Sequence, residues 1–443
     1  MNPLCFVLMP FGDKPDAGGR TIRFNEIYAS LIRPAIDDAG LEPIRADEES
    51  GGGLIHKAMF ERLVLCDYAV ADLTTANANV YYELGVRHAT RPFSTVLVYA
   101  ADSRLPFDLG PMRAIPYPIS PDGLPGAGAA AARKAIATAL DEARRQNVDS
   151  PLFQLLDGMQ PQNVDHSKTD TFRTQVRYAQ EVKERLARAR DAKSVAAVKG
   201  VEESLGKLAD QEAGVLVDLL LSYRDVKGFA EMIALAESVP DPLRRTVLFR
   251  EQKGFALNRA GRGDEAARVL TEVIQERGPS SETCGLLGRV YKDRWEQASK
   301  AGRVDEARGH LRQAIKVYRQ GFVADPRDGF PGVNAVTLME LDEPPDPDRV
   351  RLIPVVRYAA ERRIATGTPD YWDWATLVEL DVLARDEKGA REGLSNALAL
   401  KPAGWEAETT ARNLRLIHAA RTRRGEGTPW VAEMIATLER AAS

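Results

Sequence analysis

Two pairs of residues in the C-terminal half of this 443-residue chain share one spacing. Gly254 and Gly288 are 34 residues apart, and so are Leu257 and Tyr291. Both pairs lie in stretches whose apolar residues recur with the period of an α-helix. Self-similarity at such a period is typical of stacked helical hairpins, in which each unit buries its apolar face against the next. The C-terminal half is therefore predicted to be a helical array.

A period of 34 residues is also that of the tetratricopeptide repeat, and other residues fit this resemblance. The second helix of each unit carries small and large apolar residues, an insertion delays them in the second unit, and a later unit spans residues 370–402. Small residues are expected where the two helices of a hairpin cross closely. Ordinary antiparallel helices without true repeats stay open as an alternative. The residues concerned are Ala266, Leu270 and Val273, then Ala314, Tyr318 and Gly321, and later Ala390, Leu394 and Ala397.

Short apolar runs alternate with amphipathic stretches from the start of the chain to about residue 146. This order is typical of strands joined by helices, so we predict an α/β domain with a doubly wound parallel sheet of flavodoxin- or Rossmann-like type. Ligands of such sheets bind outside the carboxyl ends of the strands. The predicted strands span residues 4–10, 41–46, 68–73, 95–100 and 113–117, and the predicted helices span 24–39, 54–66, 80–90 and 129–145.

The strand pattern disappears after a stretch of mixed polarity. From about residue 171 onward the chain is rich in Ala, Leu, Arg and Glu at helical spacing, broken by short turns. We therefore predict an α/β domain over residues 1–146, a junction over 147–170 and an all-α tetratricopeptide-like solenoid over 171–443.

Charge and cysteine content exclude several classes of protein. The chain has 60 Lys and Arg against 64 Asp and Glu, a balance that does not favour a nucleic-acid partner. Its three cysteines are far apart and have no metal-ligand spacing, so neither a disulfide framework nor a bound metal is expected. No apolar stretch is long enough to span a bilayer, and the N-terminus lacks the features of a secretory signal. A cytoplasmic protein without a membrane partner is the expectation.

The stretch 66–89 is the most informative for a ligand site. An apolar strand ends near Asp72, a polar loop follows, and a helix is predicted from about Val80 with Glu83 in its first turn. A carboxylate at a strand end and a second one on the following helix are expected to face the same crevice.

The motifs in and around this stretch resemble those of the nucleoside 2-deoxyribosyltransferase-like family over about the first 120 residues. In that family a glutamate before a Leu-Gly pair attacks the anomeric carbon and forms a glycosyl-enzyme, which implies this role for Glu83. Asp72 is then implied to bind a sugar hydroxyl or to protonate the leaving base. The quoted motifs are Leu8 to Gly12, Arg45-Ala46-Asp47 and Asp72-Leu73-Thr74, and the residues implied to bind the ligand are Pro10, Phe11, Gly12, Arg45, Asp47, Thr74, Asn77, Asn79 and Tyr82.

This resemblance implies an enzyme without a cofactor that cleaves or transfers the N-glycosidic bond of a nucleoside, a nucleotide or an NAD-like molecule. A carboxylate suits that reaction because it stabilises the positive charge that develops on the sugar. Asn79-Val80-Tyr81-Tyr82 stand where the family has a small turn, which leaves open a different substrate or binding without turnover. The structural alternative is that Glu83 only favours the positive end of the dipole of its helix and that Asp72 and Thr74 cap the loop.

The helical half carries a second resemblance, to the TRAFs-binding region of the apoptosis signal-regulating kinases. It rests on CGLLGRVYKDRW at residues 284–295, on Pro331 to Ala335 and on Lys401-Pro402. The resemblance implies a regulatory region beside an α/β domain, with a protein or peptide partner on the helical repeats and with self-association left open. The alternative to an enzyme is therefore a signalling scaffold whose α/β domain senses a nucleotide-like ligand without catalysis.

Overall fold

The computed structural model describes residues 2–16, 18–45, 55–103, 105, 112–145, 147–156, 158–159, 166–366 and 369–442, without the side chains of 55–58, 166–177 and 366. Contacts group the chain into two compact units. The first comprises Met1–Lys227 and Ser238–Thr246, and the second comprises Gly228–Glu237 and Val247–Ser443. The predicted boundaries at residues 146 and 171 stay predictions.

A five-stranded parallel sheet forms the centre of the first unit. Its strand order is β4-β1-β5-β6-β7, and all five strands predicted from apolar runs are confirmed. A separate antiparallel hairpin, β2 with β3, was not predicted because β2 is exposed and carries no apolar alternation. The strands are β1 (Leu4–Leu8), β2 (Asp13–Pro15), β3 (Thr21–Arg23), β4 (Glu42–Arg45), β5 (Tyr68–Asp72), β6 (Thr95–Ala100) and β7 (Ala114–Tyr117).

Helices account for most of the remaining described chain. Those up to residue 225 are α1 (Phe24–Ile27), which continues through a π-helical turn (Tyr28–Ile32) into α2 (Arg33–Asp38), then α3 (Ile55–Leu65), α4 (Ala78–Thr90), α5 (Ala129–Ala143), α6 (Pro151–Leu155), α7 (His166–Asp191), α8 (Val195–Ser204) and α9 (Ala213–Asp225). They are followed by α10 (Phe229–Ser238), α11 (Asp241–Arg244), α12 (Val247–Arg259), α13 (Gly263–Arg277), α14 (Ser281–Lys300), α15 (Val304–Ala324) and α16 (Gly329–Leu341). The last five are α17 (Arg349–Thr366), α18 (Tyr371–Ala384), α19 (Glu387–Ala399), α20 (Gly404–Arg423) and α21 (Pro429–Ala442).

Apolar side chains cover both faces of the sheet. Successive side chains of a strand point to opposite faces, so Val7 packs in a cluster with Ile36 and Ile136. Phe6 belongs to the opposite cluster, which includes Leu84. The sheet is therefore buried on both sides, as a parallel sheet requires.

Paired helices make up the second unit, and the predicted all-helical region is confirmed. A Cβ added to Gly254 would lie 2.7 Å from Leu270 Cγ, and one added to Gly288 would lie 2.8 Å from the ring of Tyr318. Each glycine is on the first helix of a hairpin and its neighbour is on the second. In two successive hairpins, the 34-residue spacing therefore marks a position where the two helices of the hairpin pack closely against each other.

The later sequence positions of the equivalent residues in the second hairpin follow from the greater length of its helices. Helices α14 and α15 are 20 and 21 residues long, whereas α12 and α13 have 13 and 15 residues. The longer hairpin keeps Ala314 and Tyr318 buried in the array despite their later position in the sequence. Every described helix is too short or too polar to span a bilayer.

Candidate functional site

A buried hydrogen-bond network lies at the carboxyl end of the sheet, around Asp72. The Tyr117 hydroxyl donates to Asp72 Oδ2 at 2.7 Å, and the Thr74 backbone N–H donates to Asp72 Oδ1 at 3.0 Å. Thr74 Oγ1 lies 3.0 Å from the Tyr117 hydroxyl and accepts from the Ala100 N–H at 2.8 Å. The network joins the ends of β5, β6 and β7.

The electrostatics of this network follow from its burial. The side chain of Asp72 is fully buried, and this burial raises its pKa although Thr74 and Tyr117 donate to it. Burial and the neighbouring Asp72 carboxyl raise the pKa of Tyr117 well above its ordinary value.

Glu83 lies half-buried on α4, in the second turn rather than in the predicted first turn. The reason is that Asn77 begins the helix two residues earlier than predicted. Its Oδ1 accepts from the N–H groups of Asn79 at 2.9 Å and Val80 at 3.3 Å. Asn77 is thus the N-terminal cap of α4.

The other predicted residues of this stretch face outward. Asn79 is exposed, and Tyr82 is 58% exposed with its ring edge-on to Phe60 at a centroid distance of 6.3 Å. Tyr82 therefore keeps solvent-exposed ring surface, and Asn79 lies in the first turn of α4.

A second group of predicted residues gathers where β1 and β4 end. The Arg45 guanidinium lies 5.5 Å from the ring centroid of Phe11 and 4.4 Å from that of Tyr28. Asn25 Oδ1 accepts from Arg45 Nη2 at 2.8 Å and from the Gly12 N–H at 3.2 Å. Asn25 and Tyr28 were missed because nothing in the sequence around α1 distinguishes them from surface residues.

Three further predicted residues belong to this group, namely Pro10, Gly12 and Asp47. Gly12 has a φ of +62°, a left-handed conformation that explains a glycine after the first strand. Pro10 is buried beside it. Asp47 lies outside the described residues. Both groups are at the carboxyl end of the sheet, where ligands of parallel sheets bind.

Arg87 was also missed, and it is the main polar support under α4. It is fully buried and donates to the carbonyl oxygens of Leu63 and Cys66, each at 2.8 Å, and of Asp67 at 3.2 Å. Burial lowers its pKa to about 10. The sequence feature that could have indicated its burial is its position three residues after Leu84, on the apolar face of α4. We interpret Arg87 as structural because its donors are directed at these backbone carbonyls and at the hydroxyl groups of Ser94 and Thr95.

The second unit contains a pocket of about 410 Å³ between α14, α16, α18 and α20, which we call the α14–α20 pocket. Its floor holds Lys292, which is 5% exposed and whose Nζ lies 3.3 Å from Oδ1 of both Asn334 and Asn413. Buried Glu379 accepts from Asn413 Nδ2 at 3.0 Å and from the Thr337 hydroxyl. These residues come from four helices, so no local sequence pattern announces them.

Aromatic side chains surround the pocket. Phe330 and Trp372 line it and are 55% and 37% exposed, and Trp405 packs against Trp372 with a ring-centroid distance of 5.6 Å. The described residues contain no group of His, Cys, Asp or Glu side chains arranged to bind a metal. The arrangement suits an organic ligand or a polypeptide segment.

Comparison with known families decides the classification of the chain. The profile of the MAP3K TRAFs-binding domain matches residues 80–436, about four fifths of the sequence. The chain belongs to this family. The match begins in α4 and includes every helix of the α14–α20 pocket.

Individual relatives of this MAP3K TRAFs-binding domain protein are larger. Mitogen-activated protein kinase kinase kinase nsy-1 of Caenorhabditis elegans is 30% identical over 220 residues, which cover 45% of this chain and 14% of that protein. Mitogen-activated protein kinase kinase kinase 15 of Mus musculus is 26% identical over 217 residues, covering 46% and 16%. The matched segments thus span about a seventh of these relatives.

Two solved structures are similar in their helical architecture. A thermophilic TPR protein of Thermus thermophilus has a TM-score of 0.35 at 14% identity and covers 46% of this chain and 98% of its own. A tetratricopeptide repeat protein of Parabacteroides merdae has a TM-score of 0.33 at 12% identity and covers 60% and 98%. Neither likeness identifies a ligand.

Proposed function

We propose that this chain is a signalling scaffold whose helical unit binds a protein partner. The observation that carries the proposal is the exposed aromatic surface of Phe330, Trp372 and Trp405 beside the α14–α20 pocket. The description of the family names TRAFs binding, and the relatives are named as mitogen-activated protein kinase kinase kinases, which are signalling proteins. These names support a partner-binding role for the present chain.

Exposed tryptophans of this kind are uncommon on surfaces that face only water. Trp405 is 65% exposed, although transferring an indole ring out of water is strongly favourable. Aromatic residues, with tryptophan foremost, are enriched in the centres of protein interfaces and contribute most of their binding energy. A partner that covers Trp372 and Trp405 would remove this exposed apolar area.

The helices beneath this surface are held rigidly, as a binding site requires. Arg421 of α20 donates to Glu340 of α16 at 2.8 Å and to the carbonyl oxygens of Val382 and Leu383 in the last turn of α18, each at 2.8 Å. One buried side chain thereby ties three of the pocket helices together. The aromatic residues are presented on a pre-organised frame.

Crosslinking in the source cells tests the proposal. Tagged full-length chain is crosslinked, purified and examined by mass spectrometry beside the pair Trp372→Ala and Trp405→Ala. The control pair is Val304→Ala and Val323→Ala, which removes exposed apolar surface elsewhere on the same unit. We expect the wild type and the valine pair to recover the same partner and the tryptophan pair to lose it. Equal recovery of all partners by the three proteins contradicts the proposal.

For the first unit we infer a doubly wound, flavodoxin-like sheet with a nucleotide-like ligand at its carboxyl end. The strand order and the apolar clusters on both faces support this class. The ligand would contact Arg45 and Phe11 at the end of β4 and β1, with Tyr82 of α4 beside it. The predicted domain boundaries at residues 146 and 171 belong to the same proposal.

Cleavage of an N-glycosidic bond is the second candidate function, favoured by the buried Asp72 carboxyl at the strand end. In this reaction the bond from the anomeric carbon to the base nitrogen breaks, and a bond from that carbon to the Glu83 carboxylate forms. The leaving base takes a proton from the solvent. Water then attacks the anomeric carbon, its hydroxyl replaces Glu83 on the sugar, and its remaining proton returns to the solvent. Asp72 is buried and accepts a hydrogen bond from the Tyr117 hydroxyl, so it would act by holding the hydrogen-bond network of Thr74 and Tyr117 in position.

An assay of base release from nucleosides, deoxynucleotides and NAD tests this candidate. The variants are Glu83→Gln and, as a matched control, Glu142→Gln on the exposed face of α5. Base release that is lost only in Glu83→Gln supports the enzyme. Absence of release by the folded wild-type protein removes the glycosidase candidate and leaves the scaffold proposal untouched.

A further inference from the structure

We propose that the aromatic surface beside the α14–α20 pocket binds a proline-rich segment of the partner protein in the polyproline II conformation. The inference rests on the proposed scaffold function and adds the chemistry of the segment that is recognised. It is carried by the indole N–H groups of Trp372 and Trp405 and by the balance of charge in the pocket.

Trp372 and Trp405 offer a ligand both apolar ring surface and hydrogen-bond donors. Within the described part of the chain, neither indole N–H donates to a side chain or a carbonyl group. The neighbouring Tyr371 differs, because its hydroxyl donates to Thr410 Oγ1 at 2.8 Å. A segment that covers the two tryptophans has to supply acceptors for their N–H groups, since a buried donor without a partner is costly.

The charges that line the pocket are balanced. Four cations and four carboxylates take part in the lining. Buried Lys292 and Glu379 lie in the same floor and attract each other, and Arg363 pairs with Asp373 at 2.6 Å. Neither sign of charge is therefore favoured in a ligand, and a neutral segment is the complementary one.

The indole donors decide which backbone conformation of a neutral segment fits. An α-helix uses all but its last carbonyl groups in its own hydrogen bonds. An added β-strand needs the open edge of a sheet, and the described residues of the second unit form helices and turns without a strand. A polyproline II helix has no internal hydrogen bonds, so every carbonyl group along it can accept from an indole N–H.

Proline also suits the apolar part of the surface. Its flat ring can pack on the exposed surface of Trp372 and Trp405, whose ring planes are tilted by 43°. Phe330 continues this surface along the pocket and is held by Tyr318, to which its ring is edge-on at a centroid distance of 6.4 Å. Proline fixes its own φ, so a proline-rich segment loses less conformational entropy on binding than a flexible one.

A protein segment fits better than a small neutral molecule because the aromatic surface continues beyond the pocket. Trp405 does not line the pocket, yet it packs on Trp372 with a ring-centroid distance of 5.6 Å. A small molecule confined to the pocket would leave Trp405 in water. An extended segment that lies across the mouth would cover both tryptophans and meet both indole donors.

Selection from a display library of random 12-residue peptides on the immobilised full-length chain identifies binding segments. We expect the enriched peptides to share at least two prolines and to show no preference for acidic or basic residues. Enrichment of peptides without proline overturns the proposal, as does failure to enrich any peptide.

Synthetic peptides then test the role of proline. A tryptophan-free enriched sequence is made with both ends blocked, in its proline form and in a matched form with alanine at each proline. Binding to the full-length chain is read from the tryptophan fluorescence of the protein. We expect the proline form to bind at least tenfold more tightly, because the alanine form has to be ordered on binding. Equal affinities of the two peptides overturn the proposal.

Variants of the protein test the indole donors. Trp372→Phe and Trp405→Phe each keep an aromatic ring and remove one N–H group. Each should weaken binding of the proline peptide about fivefold, as expected for the loss of one hydrogen bond. The pair Val304→Ala and Val323→Ala should keep the affinity of the wild type. Unchanged affinity in both phenylalanine variants overturns the proposal, and the two peptides on the wild-type protein test it without any variant.

Competition separates this inference from the proposed function. An excess of the proline peptide should displace the partner that is recovered by crosslinking. A partner that is lost with Trp372→Ala and Trp405→Ala but is not displaced by the proline peptide would leave the scaffold function standing and overturn the proline-rich segment. Absence of a partner dependent on the tryptophans would contradict the scaffold function itself.

Discussion

Arg421 and Glu340 form an ion pair between Nε and Oε1 at 2.8 Å, and each side chain is at most 3% exposed. The pair lies between α20 and α16, while other donors of Arg421 bind carbonyl groups in the last turn of α18. Burial alone would raise the pKa of Glu340, but its pairs with Arg421 and Arg349 hold that pKa below its ordinary value. The helices that form the α14–α20 pocket thus depend on a buried arginine.

Replacement of Arg421 by methionine should strongly destabilise the second unit. Arg421→Met leaves Glu340 with fewer partners and two helix-end carbonyls without donors, so we expect a loss of about 3–5 kcal/mol in the free energy of unfolding. All five tryptophans lie at or after residue 295, so tryptophan fluorescence in urea reports on this unit. Arg423→Met on the same helix is the control: Arg423 is 61% exposed, and its removal should cost less than about 0.5 kcal/mol. Equal effects of the two substitutions would contradict the structural role of Arg421.

The close approach at Gly288 gives a second prediction. Gly288→Ala would place its Cβ 2.8 Å from the Tyr318 ring, so we expect overpacking to cost about 1–3 kcal/mol despite the better helix propensity of alanine. Gly309→Ala in α15 has nothing within 4 Å of the added Cβ and should stabilise the unit by up to about 1 kcal/mol. Urea unfolding followed by tryptophan fluorescence measures both. Stabilisation by both substitutions would show that the hairpin has room at Gly288.

Arg87 should be irreplaceable even by lysine. Lysine cannot reproduce the planar set of donors that reaches Leu63, Cys66 and Asp67, so Arg87→Lys should cost about 2–4 kcal/mol. Hydrogen exchange of first-unit peptides in urea, read by mass spectrometry, measures this change. Arg113→Lys on an exposed position should leave the exchange unchanged. Unaltered protection in Arg87→Lys would mean that the buried bonds contribute little.

His88 should make the first unit less stable in mild acid. Burial, reinforced by the neighbouring Arg87, lowers the pKa of His88 to about 4, below the unfolded value of about 6.5. The unfolded chain therefore binds the proton more readily, and the contribution of His88 is lost as pH falls below the unfolded pKa. Between about pH 7.5 and about pH 5 the loss should be about 2 kcal/mol.

The measurement compares His88→Gln with the wild type. Other groups such as Asp149 titrate in both proteins and cancel in this comparison. The difference in the free energy of unfolding between the two proteins should therefore change by about 2 kcal/mol between about pH 7.5 and about pH 5. Burial raises the pKa of Asp149 to about 6, so its own contribution runs in the opposite direction in each protein. A difference that does not change with pH would show that His88 is not held neutral.

The sequence predicted the elements whose pattern is local. Buried strands such as β5 are continuous apolar runs, and the hairpins were found because Gly254 and Gly288 mark close helix crossings at a fixed spacing. The β2–β3 hairpin was missed because β2 is exposed and its side chains show no apolar alternation. The early start of α4 follows from the Asn77 cap, whose preference for that position was a usable signal.

The candidate sites were predicted less completely, for a physical reason. Asp72 and Thr74 are neighbours in sequence, so their cooperation was foreseeable, but Tyr117 reaches Asp72 across 45 residues. Lys292 and Asn413 are separated by 121 residues and meet only after the helices have stacked. A single sequence contains no pattern that joins such positions.

The dissociation constant of the partner recovered by crosslinking, measured on the full-length chain by biolayer interferometry, tests the scaffold proposal most directly. Binding to the pair Trp372→Ala and Trp405→Ala should be at least about tenfold weaker than binding to the wild type, because central aromatic residues dominate interface energies. The pair Val304→Ala and Val323→Ala should bind as the wild type does. Equal affinities of all three proteins would contradict the assignment of partner binding to the aromatic surface of the helical unit.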